Sequence, residues 1–165
     1  MNVAYLCLGG NIEDREKSIE LAISKIDHQV GEITIKSNIY ETEAWGVENQ
    51  QAYLNQCIKV NTNLNSIELI NKLLLIEKEL GRERILNTTY VPRIIDIDIL
   101  FFNSEIINSP QLIVPHPRLH LRKFVLIPLN EIAPNYLHPV LNNSIFNLLI
   151  ECYDTLKVTP YKIKN

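Results

Sequence analysis

The stretch PRIIDIDILFF, residues 92–102, constrains the fold more than any other part of the sequence. Side chains alternate between the two faces of an extended chain, so Asp96 and Asp98 should share one face. Ile94 and Leu100 would lie on that same face. The opposite face would carry apolar side chains only: Ile95, Ile97, Ile99 and Phe101. A strand this apolar is expected in the centre of a sheet.

Asp96 and Asp98 form a D-x-D pair that could bind metal. Their carboxylates would lie about 6.5 Å apart along the strand face. One divalent cation, or two cations about 3.5 to 4 Å apart, could be held between them. In a central strand, two adjacent carboxylates would repel each other and lose solvation unless a cation neutralised them. The alternative to a metal site is that the two aspartates lie on a solvated face of an antiparallel sheet, because D-x-D also occurs in strands that have no catalytic or binding role.

The size and charge of the chain predict one domain without a general affinity for nucleic acid. A chain of 165 residues can bury roughly two-thirds of the surface that its unfolded form exposes. We expect a single domain over residues 1–165, with a core over about residues 2–150 and a tail after it. A net charge of -3 and a pI near 5.8 mean that any polyanion site must be local.

Cysteine usage and hydropathy indicate a protein of the cytoplasm. Cys7, Cys57 and Cys152 are odd in number and widely spaced, which is typical of buried free thiols in a reducing compartment. No apolar run approaches the roughly 18 residues of a membrane span. The first residues, MNVAYLCLGGN, predict a strand and a turn and not a signal peptide.

The first half of the chain alternates between strand and helix patterns. The spacing of apolar residues predicts strands at 2–8, 32–40 and 53–61, helices over 12–26 and 65–81, and a loop at 41–52. Ile33, Ile35 and Ile39 should share the buried face of the second strand. Asn65 and Glu68 form a capping-box pattern at the start of the second helix. The inward residues of that helix are expected to be Ile67, Ile70, Leu73, Leu74 and Leu80.

The second half adds a short extension to this pattern. After the D-x-D strand we expect a hairpin at 103–113, a proline-braced turn at 114–118, helices at 125–132 and 145–152, and a tail at 157–165. Read in order, the elements are βαββαβ with a C-terminal hairpin and helical extension. This is the pattern of an α+β ferredoxin-like sandwich, a fold that hosts many functions.

Three polar residues stand where packing alone would not place them. Glu77 falls on or beside the apolar stripe of the second helix, where it could snorkel to solvent or face a polar pocket. Tyr53 and Asn55 share the polar side of their strand, and an aromatic ring beside an amide suits a planar ligand. The alternative is that Tyr53 caps the core and Asn55 lies at the edge of the ladder.

Cationic residues flank the D-x-D strand. Arg82, Arg84 and Arg93 lead into it with only Glu83 as an acidic residue among them. Magnesium polyphosphate needs both charges at close range, with carboxylates for the metal and guanidinium groups for the phosphate oxygens. The prolines beside His116 hold its backbone in place, although an exposed histidine in a turn usually has no function.

Five motifs together resemble one enzyme family. They are Tyr53-Leu54-Asn55, Gly81-Arg82-x-Arg84, Pro92-Arg93-x-x-Asp96-x-Asp98-Ile99-Leu100, Val114-Pro115-His116-Pro117, and a block from Arg122 through Phe124 to Pro134. The chain closely resembles the 6-hydroxymethyl-7,8-dihydropterin pyrophosphokinases of the folate pathway, from Val3 to about residue 150. The resemblance implies transfer of diphosphate from ATP to the pterin hydroxymethyl group, with release of AMP.

The resemblance also implies roles for individual residues. Asp96 and Asp98 would bind two Mg²⁺ ions, and Asp96 would also contact the pterin. Catalytic roles fall to these aspartates and to Arg82, Arg84 and Arg93. The ATP-binding positions are Glu77, Arg82, Arg84, Arg93, Ile99, His116 and Arg122. The pterin-binding positions are Thr42, Glu43, Trp45, Tyr53, Asn55, Asp96 and Phe124. A monomer that binds these two small molecules, and neither membrane nor nucleic acid, is expected.

Four positions depart from the family pattern. Val91 stands where glycine or alanine is usual, Tyr90 where many members carry tryptophan, and Thr88 and Thr89 where a basic residue is usual. The arginines and aspartates are intact. Two rival hypotheses remain: a glycosyltransferase that uses D-x-D to hold a sugar nucleotide, and a ferredoxin-like binding module without catalytic activity.

Overall fold

The computed structural model describes residues 1–43, 51–82 and 94–163. The strands are β1 (Asn2–Gly10), β2 (Gly31–Lys36), β3 (Tyr40–Thr42), β4 (Tyr53–Thr62), β5 (Asp96–Phe102), β6 (Ile107–Asn108), β7 (Ile113–Val114) and β8 (Val158–Pro160). The helices are α1 (Arg15–Gln29), α2 (Ser66–Glu79), α3 (Lys123–Ile132) and α4 (Ile145–Glu151). No helix in these ranges is long and apolar enough to cross a membrane.

An antiparallel sheet lies at the centre of the fold. Its strands follow the order β5-β1-β4-β3-β8, and β2 pairs with β4 beside β3. The D-x-D strand β5 lies at one edge of this sheet and, among the described strands, pairs only with β1. The expected position in the centre of the sheet was therefore wrong, and the apolar side chains of β5 are buried by the helices on both faces. This order, with α1 after β1 and α2 after β4, confirms the predicted α+β ferredoxin-like sandwich. The predicted hairpin is the separate pair β6–β7.

Alternating side chains give the sheet two buried faces. Leu6 and Leu8 of β1 pack with α1 and α2 in one core, whereas Tyr5 and Cys7 pack with α3 and α4 in another. Both faces of the central strands are thus covered by helices. Side chains on the face of the sheet under α3 and α4 can therefore meet in a space between the strands and the C-terminal extension.

A bulge in β5 corrects the predicted position of Phe101. Tyr5 pairs with Phe101 and Leu6 pairs with Ile99, so the register shifts by one residue at Leu100. The extra residue turns Phe101 to the same face as Leu100, in the core under α3 and α4. Our prediction of Phe101 beside the isoleucines was wrong, because strict alternation ends at the bulge.

The strand predicted at 32–40 consists of two strands. The chain leaves the sheet at residues 37–39, where the Ser37 hydroxyl accepts a hydrogen bond from the Cys57 N–H at 3.0 Å. A register shift between Ile33 and Ile35 leaves Ile35 41% exposed. The expected common face for Ile33, Ile35 and Ile39 was therefore wrong.

The capping box of α2 is confirmed, but its buried stripe differs from our prediction. The Asn65 side chain accepts from the backbone N–H groups of the first turn, and Glu68 accepts from the Asn65 N–H at 2.8 Å. Ile67 is 38% exposed. The buried residues are Leu69, Leu73, Ile76 and Glu77. The helix is rotated relative to the expected face, and this rotation turns Glu77 fully inward.

The segment predicted as a C-terminal tail contributes a strand. β8 pairs with β3, and the Tyr161 N–H donates to the Ile39 carbonyl at 2.8 Å. A three-residue strand containing a proline at the sheet edge gives too short a pattern to detect in the sequence. The chain after α4 therefore returns to the sheet beside β3.

Candidate active site

A cavity of about 470 Å³ opens between the sheet and the C-terminal extension. Strands β1, β3, β4 and β5, the turn after β7, the start of α3 and the segment after α4 all contribute to it. The lining residues are Cys7, Gly9, Thr42, Glu43, Tyr53, Asn55, Asp96, Asp98, His116, Arg118, Leu121, Arg122, Phe124, Asp154 and Leu156. The structure thus brings together nine residues that the sequence assigned to a site: Thr42, Glu43, Tyr53, Asn55, Asp96, Asp98, His116, Arg122 and Phe124.

Asp96 and Asp98 stand on the cavity side of β5. They are paired in the sheet with Gly9 and Cys7 of β1, and the alternate residue Ile97 is buried in the opposite core. The Asp96 side chain is 20% exposed and that of Asp98 is 43% exposed. The predicted common face of the two carboxylates is confirmed, and both can contact a ligand in the cavity.

Arg82 joins the buried carboxyl group of Glu77 to the partly buried one of Asp96 at the edge of this cavity. Its Nη1 atom lies 2.5 Å from both Glu77 Oε2 and Asp96 Oδ1. Glu77 Oε1 accepts from the Ile97 N–H at 2.7 Å, which ties the end of α2 to β5. Glu77 therefore faces a polar pocket and does not reach solvent. This arrangement fixes the guanidinium beside the D-x-D pair.

The carboxyl group of Glu77 is shifted toward its neutral form. Burial, with the nearby Asp96 carboxylate, raises the pKa of Glu77 to about 7, although Arg82 and the Ile97 N–H act in the opposite direction. A carboxyl group whose pKa is strongly raised by burial and by a nearby charge, at the edge of a cavity, marks a candidate functional site.

His116 is held as a neutral donor at the cavity wall. Its backbone N–H donates to the Leu100 carbonyl at 3.0 Å, and its Nδ1 accepts from the Arg118 N–H at 3.2 Å. Burial, with the cations Arg122 and Arg118, lowers the pKa of His116 to about 4. With Nδ1 as an acceptor, the ring proton lies on Nε2, which is 4.0 Å from Asp98 Oδ2.

The buried amide of Asn55 lines the end of the cavity at β4, two strands from Asp96, because Gly9 of β1 pairs with both residues. Asn55 is 3% exposed and its Nδ2 donates to the Thr42 hydroxyl at 3.3 Å. Gly9 leaves room for it, because a Cβ added to Gly9 would lie 2.7 Å from Asn55 Oδ1. Tyr53 and Phe124 provide aromatic surface nearby. This end of the cavity suits a planar ligand with hydrogen-bonding edges.

Arg122 and Phe124 enter the cavity from the start of α3. The Arg122 guanidinium lies 5.5 Å from the centre of the Phe124 ring. Helix α3 packs on β4, where Cys57 Sγ donates to the Val125 carbonyl at 3.8 Å. The position of this helix therefore sets the width of the cavity between Phe124 and the residues of β4.

Other predicted site residues lie elsewhere. The Ile99 side chain is buried in the core beneath α1 and α2, so only its backbone could reach a ligand on the other face. Glu77 and Arg82 adjoin the cavity through Asp96 without lining it. Trp45, Arg84 and Arg93 lie outside the described residues, as do the departures from the family pattern at residues 88–91.

Sequence reasoning missed six lining residues: Cys7, Gly9, Arg118, Leu121, Asp154 and Leu156. The alternation of β1 could have placed Cys7 and Gly9 on the same face, but only the pairing with β5 puts them beside Asp96 and Asp98. Asp154 and Leu156 belong to a segment with no periodic signal. No pattern in the sequence connects them to the cavity.

The chemistry of the D-x-D pair fits a hard divalent cation. Carboxylate oxygens are the ligands that Mg²⁺ prefers, and Mg²⁺ commonly takes one or two carboxylates together with phosphate oxygens and water. Among residues 1–43, 51–82 and 94–163, no group of three or more His, Cys, Asp or Glu side chains could hold a metal ion by itself. The two aspartates are therefore suited to a cation that arrives with an anionic ligand.

The fold is α+β, and the comparisons place the chain in a family of phosphoryl-transfer enzymes. The family model for 7,8-dihydro-6-hydroxymethylpterin-pyrophosphokinase matches residues 5–134. The chain belongs to this family. The match includes β1 to α3 and therefore most of the cavity, and it confirms the resemblance drawn from the five motifs.

Relatives support the same assignment. The chain is 47% identical over 134 residues to the 2-amino-4-hydroxy-6-hydroxymethyldihydropteridine pyrophosphokinase of Bacillus subtilis, covering 80% of this chain and 78% of the relative. Identity to the protein of the same name from Aquifex aeolicus is 44% over 140 residues, covering 85% and 86% of the two chains. The alignment therefore extends over most of each relative.

Solved structures show the same fold. Wild-type Plasmodium falciparum HPPK-DHPS matches with a TM-score of 0.74 and 20% identity, over 91% of this chain and 44% of that one. The A437G variant of that protein, with SDX-DHP, matches with a TM-score of 0.76 at 21% identity, over 91% of this chain and 45% of that one. This chain thus spans less than half of those longer proteins.

Proposed function

We propose that the chain transfers diphosphate from ATP to the hydroxymethyl group of 6-hydroxymethyl-7,8-dihydropterin, which gives AMP and the pterin diphosphate of folate biosynthesis. One observation carries this proposal. A single cavity presents the Asp96–Asp98 pair, with Arg82 held beside it, next to an aromatic and amide-lined end. Family membership and the names of the relatives support the same reaction.

The charged end of the cavity is assigned to ATP. A guanidinium group has five N–H donors, so Arg82 can bind phosphate oxygens while it still contacts Glu77. Neutral His116 would donate from Nε2 to a phosphate oxygen, and it cannot act as a general base through that atom. The proposed ATP-binding residues are Glu77, Arg82, Arg84, Arg93, Ile99 (through its backbone), His116 and Arg122.

The aromatic end is assigned to the pterin. Its flat ring would lie between Tyr53 and Phe124, and the buried Asn55 amide would read its polar edge. The Thr42 hydroxyl orients that amide through the 3.3 Å hydrogen bond. The proposed pterin-binding residues are Thr42, Glu43, Trp45, Tyr53, Asn55, Asp96 and Phe124.

Asp96 and Asp98 are the proposed ligands of two Mg²⁺ ions that enter with ATP. When bound, such ions neutralise phosphate charge and lower the pKa of a coordinated hydroxyl group. The protein's own contribution is positioning: β5 presents both carboxylates to the cavity, and α2 holds Arg82 against Asp96 through Glu77. Arg82, Arg84 and Arg93 would stabilise the charge that develops on the transferred group.

Steady-state assays of four proteins test this function. Each protein is incubated with ATP, the pterin and Mg²⁺, and the AMP formed is quantified. The four proteins are wild type, Asp96→Asn, Asp98→Asn and the control Asp27→Asn. The two site variants should lose at least about a thousandfold in kcat, since each removes a carboxylate charge that would hold the metal ions. Asp27 lies at the end of α1, away from the cavity, so its variant should retain activity. Near-normal turnover in either site variant would exclude the metal assignment.

Three further assignments belong to the same proposal. We treat residues 1–165 as one pyrophosphokinase domain that acts as a monomer. A reducing compartment, the cytoplasm, agrees with the three free cysteines, of which Cys7 and Cys57 are buried. Gel filtration with light scattering tests the oligomeric state, and a mass near twice 19.1 kDa would contradict the proposed monomer.

A further inference from the structure

The segment after α4 passes over the cavity in an extended form. Its side chains alternate: Asp154, Leu156 and Val158 are partly buried, whereas Tyr153 is 98% exposed. Asp154 and Leu156 line the cavity, and Val158 pairs with Thr42 of β3. This segment therefore connects the cavity wall at α3 with the wall at β3.

Both oxygens of the Asp154 carboxylate accept backbone hydrogen bonds. Oδ1 accepts from the Leu156 N–H at 3.0 Å, a local bond of the Asx-turn type within the segment itself. Oδ2 accepts from the N–H of Lys123, the first residue of α3, at 2.9 Å. The residue before α3, Arg122, makes no side-chain cap hydrogen bond. Asp154 thus caps α3 from 31 residues further along the chain.

The N-cap and the first turn of α3 contribute two residues to the cavity. Arg122 and Phe124 flank Lys123 directly, so the Asp154–Lys123 bond lies between them. A carboxylate at a helix N-terminus is favourable because it satisfies an unpaired N–H and interacts with the helix dipole. Without the cap, the first turn would fray and the Phe124 ring would lose its fixed distance from β4.

We propose that Asp154 is a positioning residue of the pterin site, acting through its hydrogen bond to the Lys123 N–H. The inference rests on the proposed function and adds to it a residue outside the span of 5–134 that the family model matches. Asp154 does not take part in the chemistry. It fixes the helix turn that holds Phe124 and Arg122 against bound substrate.

Two substitutions remove the same bond from opposite sides. Asp154→Ala deletes the acceptor. Lys123→Pro deletes the donor at the first helical position, where proline is tolerated, and the extended backbone of Arg122 suits a following proline. Each should raise the Kd for the pterin about three- to tenfold, the size expected for loss of one cap. The double variant should be no weaker than either single variant, because both act on one bond.

Control variants separate positioning from general stability. Asp154→Asn keeps one oxygen acceptor for the Lys123 N–H but turns its NH2 group toward the Leu156 N–H, so its Kd should lie between those of Asp154→Ala and wild type. Lys123→Ala keeps the N–H and should bind as wild type. Asp27→Ala removes a carboxylate that accepts from the Ile33 N–H at 3.0 Å, the same kind of bond at a site away from the cavity. It should lower the melting temperature without changing the Kd.

The measurement is calorimetric titration of the pterin into each protein with Mg²⁺ and a non-hydrolysable ATP analogue. A weaker Kd in Asp154→Ala and Lys123→Pro, with an intermediate Kd in Asp154→Asn and normal binding in Lys123→Ala and Asp27→Ala, supports the inference. If wild type binds the pterin and both Asp154→Ala and Lys123→Pro bind it with the same Kd, the inference is overturned, even if the stability of the variants falls. A wild-type chain that binds no pterin would overturn the proposed function and this inference together.

Discussion

Gly9 shows how a single atom can fix the geometry of the site. The backbone of β1 passes so close to Asn55 that a methyl group at Gly9 would come within 2.7 Å of its amide oxygen. Asn55 is buried and bonded to Thr42, so it cannot move away without losing that hydrogen bond. The absence of a side chain at Gly9 is therefore required by Asn55.

Gly9→Ala should weaken binding of the pterin while the protein remains folded. We expect the KM for the pterin to rise about tenfold or more, since one displaced hydrogen bond to a buried polar group costs about 1 to 3 kcal/mol. The KM for ATP should change little. Steady-state kinetics on both substrates check this, with Gly10→Ala, one position further along β1, as the control. Equal KM values for Gly9→Ala and wild type would show that Asn55 does not contact the pterin.

The lowered pKa of His116 predicts that the free energy of unfolding decreases as the pH falls below 6.5. Burial and the cations Arg122 and Arg118 lower its pKa from 6.5 to about 4, so the unfolded chain binds a proton first as the pH falls. Its stabilising contribution is thus present above pH 6.5 and is lost as the pH falls toward 4. The slope from this one group is at most about 1.4 kcal/mol per pH unit.

Two measurements on ligand-free protein check the histidine. Imidazole ¹⁵N NMR should show His116 neutral, with the proton on Nε2, down to about pH 4.5. Urea denaturation should show a shallower loss of stability between pH 6.5 and 4 in His116→Gln than in wild type. A His116 pKa near 6.5, or identical slopes for the two proteins, would contradict this electrostatic description.

Sequence reasoning identified charged residues of the site better than small or distant ones. Asp96, Asp98 and Glu77 stood out because charge in an apolar pattern needs a partner or a ligand. Gly9 and Asp154 gave no such signal. Their importance depends on which backbone lies opposite them in space, and that information appears only when the strands pair.

At the scale of elements, α2 connects its capping box to the site. Asn65 and Glu68 fix where the helix begins, and the helix ends two residues after Glu77. The start of the helix therefore determines the rotation that aims Glu77 at Ile97 and Arg82. The sequence predicted this cap because its pattern is local, within four residues.

Asn65→Ala should lower the free energy of unfolding by about 1 kcal/mol, the usual cost of a lost N-cap. The substitution removes the acceptor for two backbone N–H groups of the first turn, at 3.0 and 3.1 Å. Urea denaturation measures the change, and Asn63→Ala, at an exposed position two residues earlier, is the matched control. Equal losses in the two variants would mean that the capping box does not stabilise the helix.

Two elements departed from their predicted form because the cause is not local. Both irregularities depend on contacts with a neighbouring strand. The bulge at Leu100 lies opposite Tyr5 and Leu6, and the break at residues 37–39 lies opposite Cys57. Alternation in one strand says which residues are apolar, but it does not reveal where a neighbour forces a register shift.

At the scale of the molecule, the two helical layers have different roles. Helices α1 and α2 cover one face of the sheet and complete the ferredoxin-like core, whereas α3 and α4 cover the other face. The start of α3 and the segment after α4 line the cavity. The βαββαβ order was predictable from periodicity. The return of the C-terminal segment to β3 was not, because only three residues of β8 pair there.

Removal of residues 158–165 should expose the edge of β3. Amide hydrogen exchange at Tyr40–Thr42 should become faster, since these residues pair with β8 on one side and β4 on the other. Exchange in β2, which pairs with β4 and not with β8, should change little. Mass spectrometry of peptides from each strand checks the prediction. Equal acceleration in β2 and β3, or none in β3, would contradict this role for β8.

The fate of the three phosphates of ATP tests the central claim most directly. Phosphorus NMR is recorded while the wild-type protein acts on ATP, Mg²⁺ and 6-hydroxymethyl-7,8-dihydropterin. The proposed reaction predicts that the α-phosphate remains on AMP and that the β- and γ-phosphates appear together, still joined, on the pterin. ADP with a pterin monophosphate, or ATP that remains intact with folded protein present, would contradict the proposed diphosphate transfer.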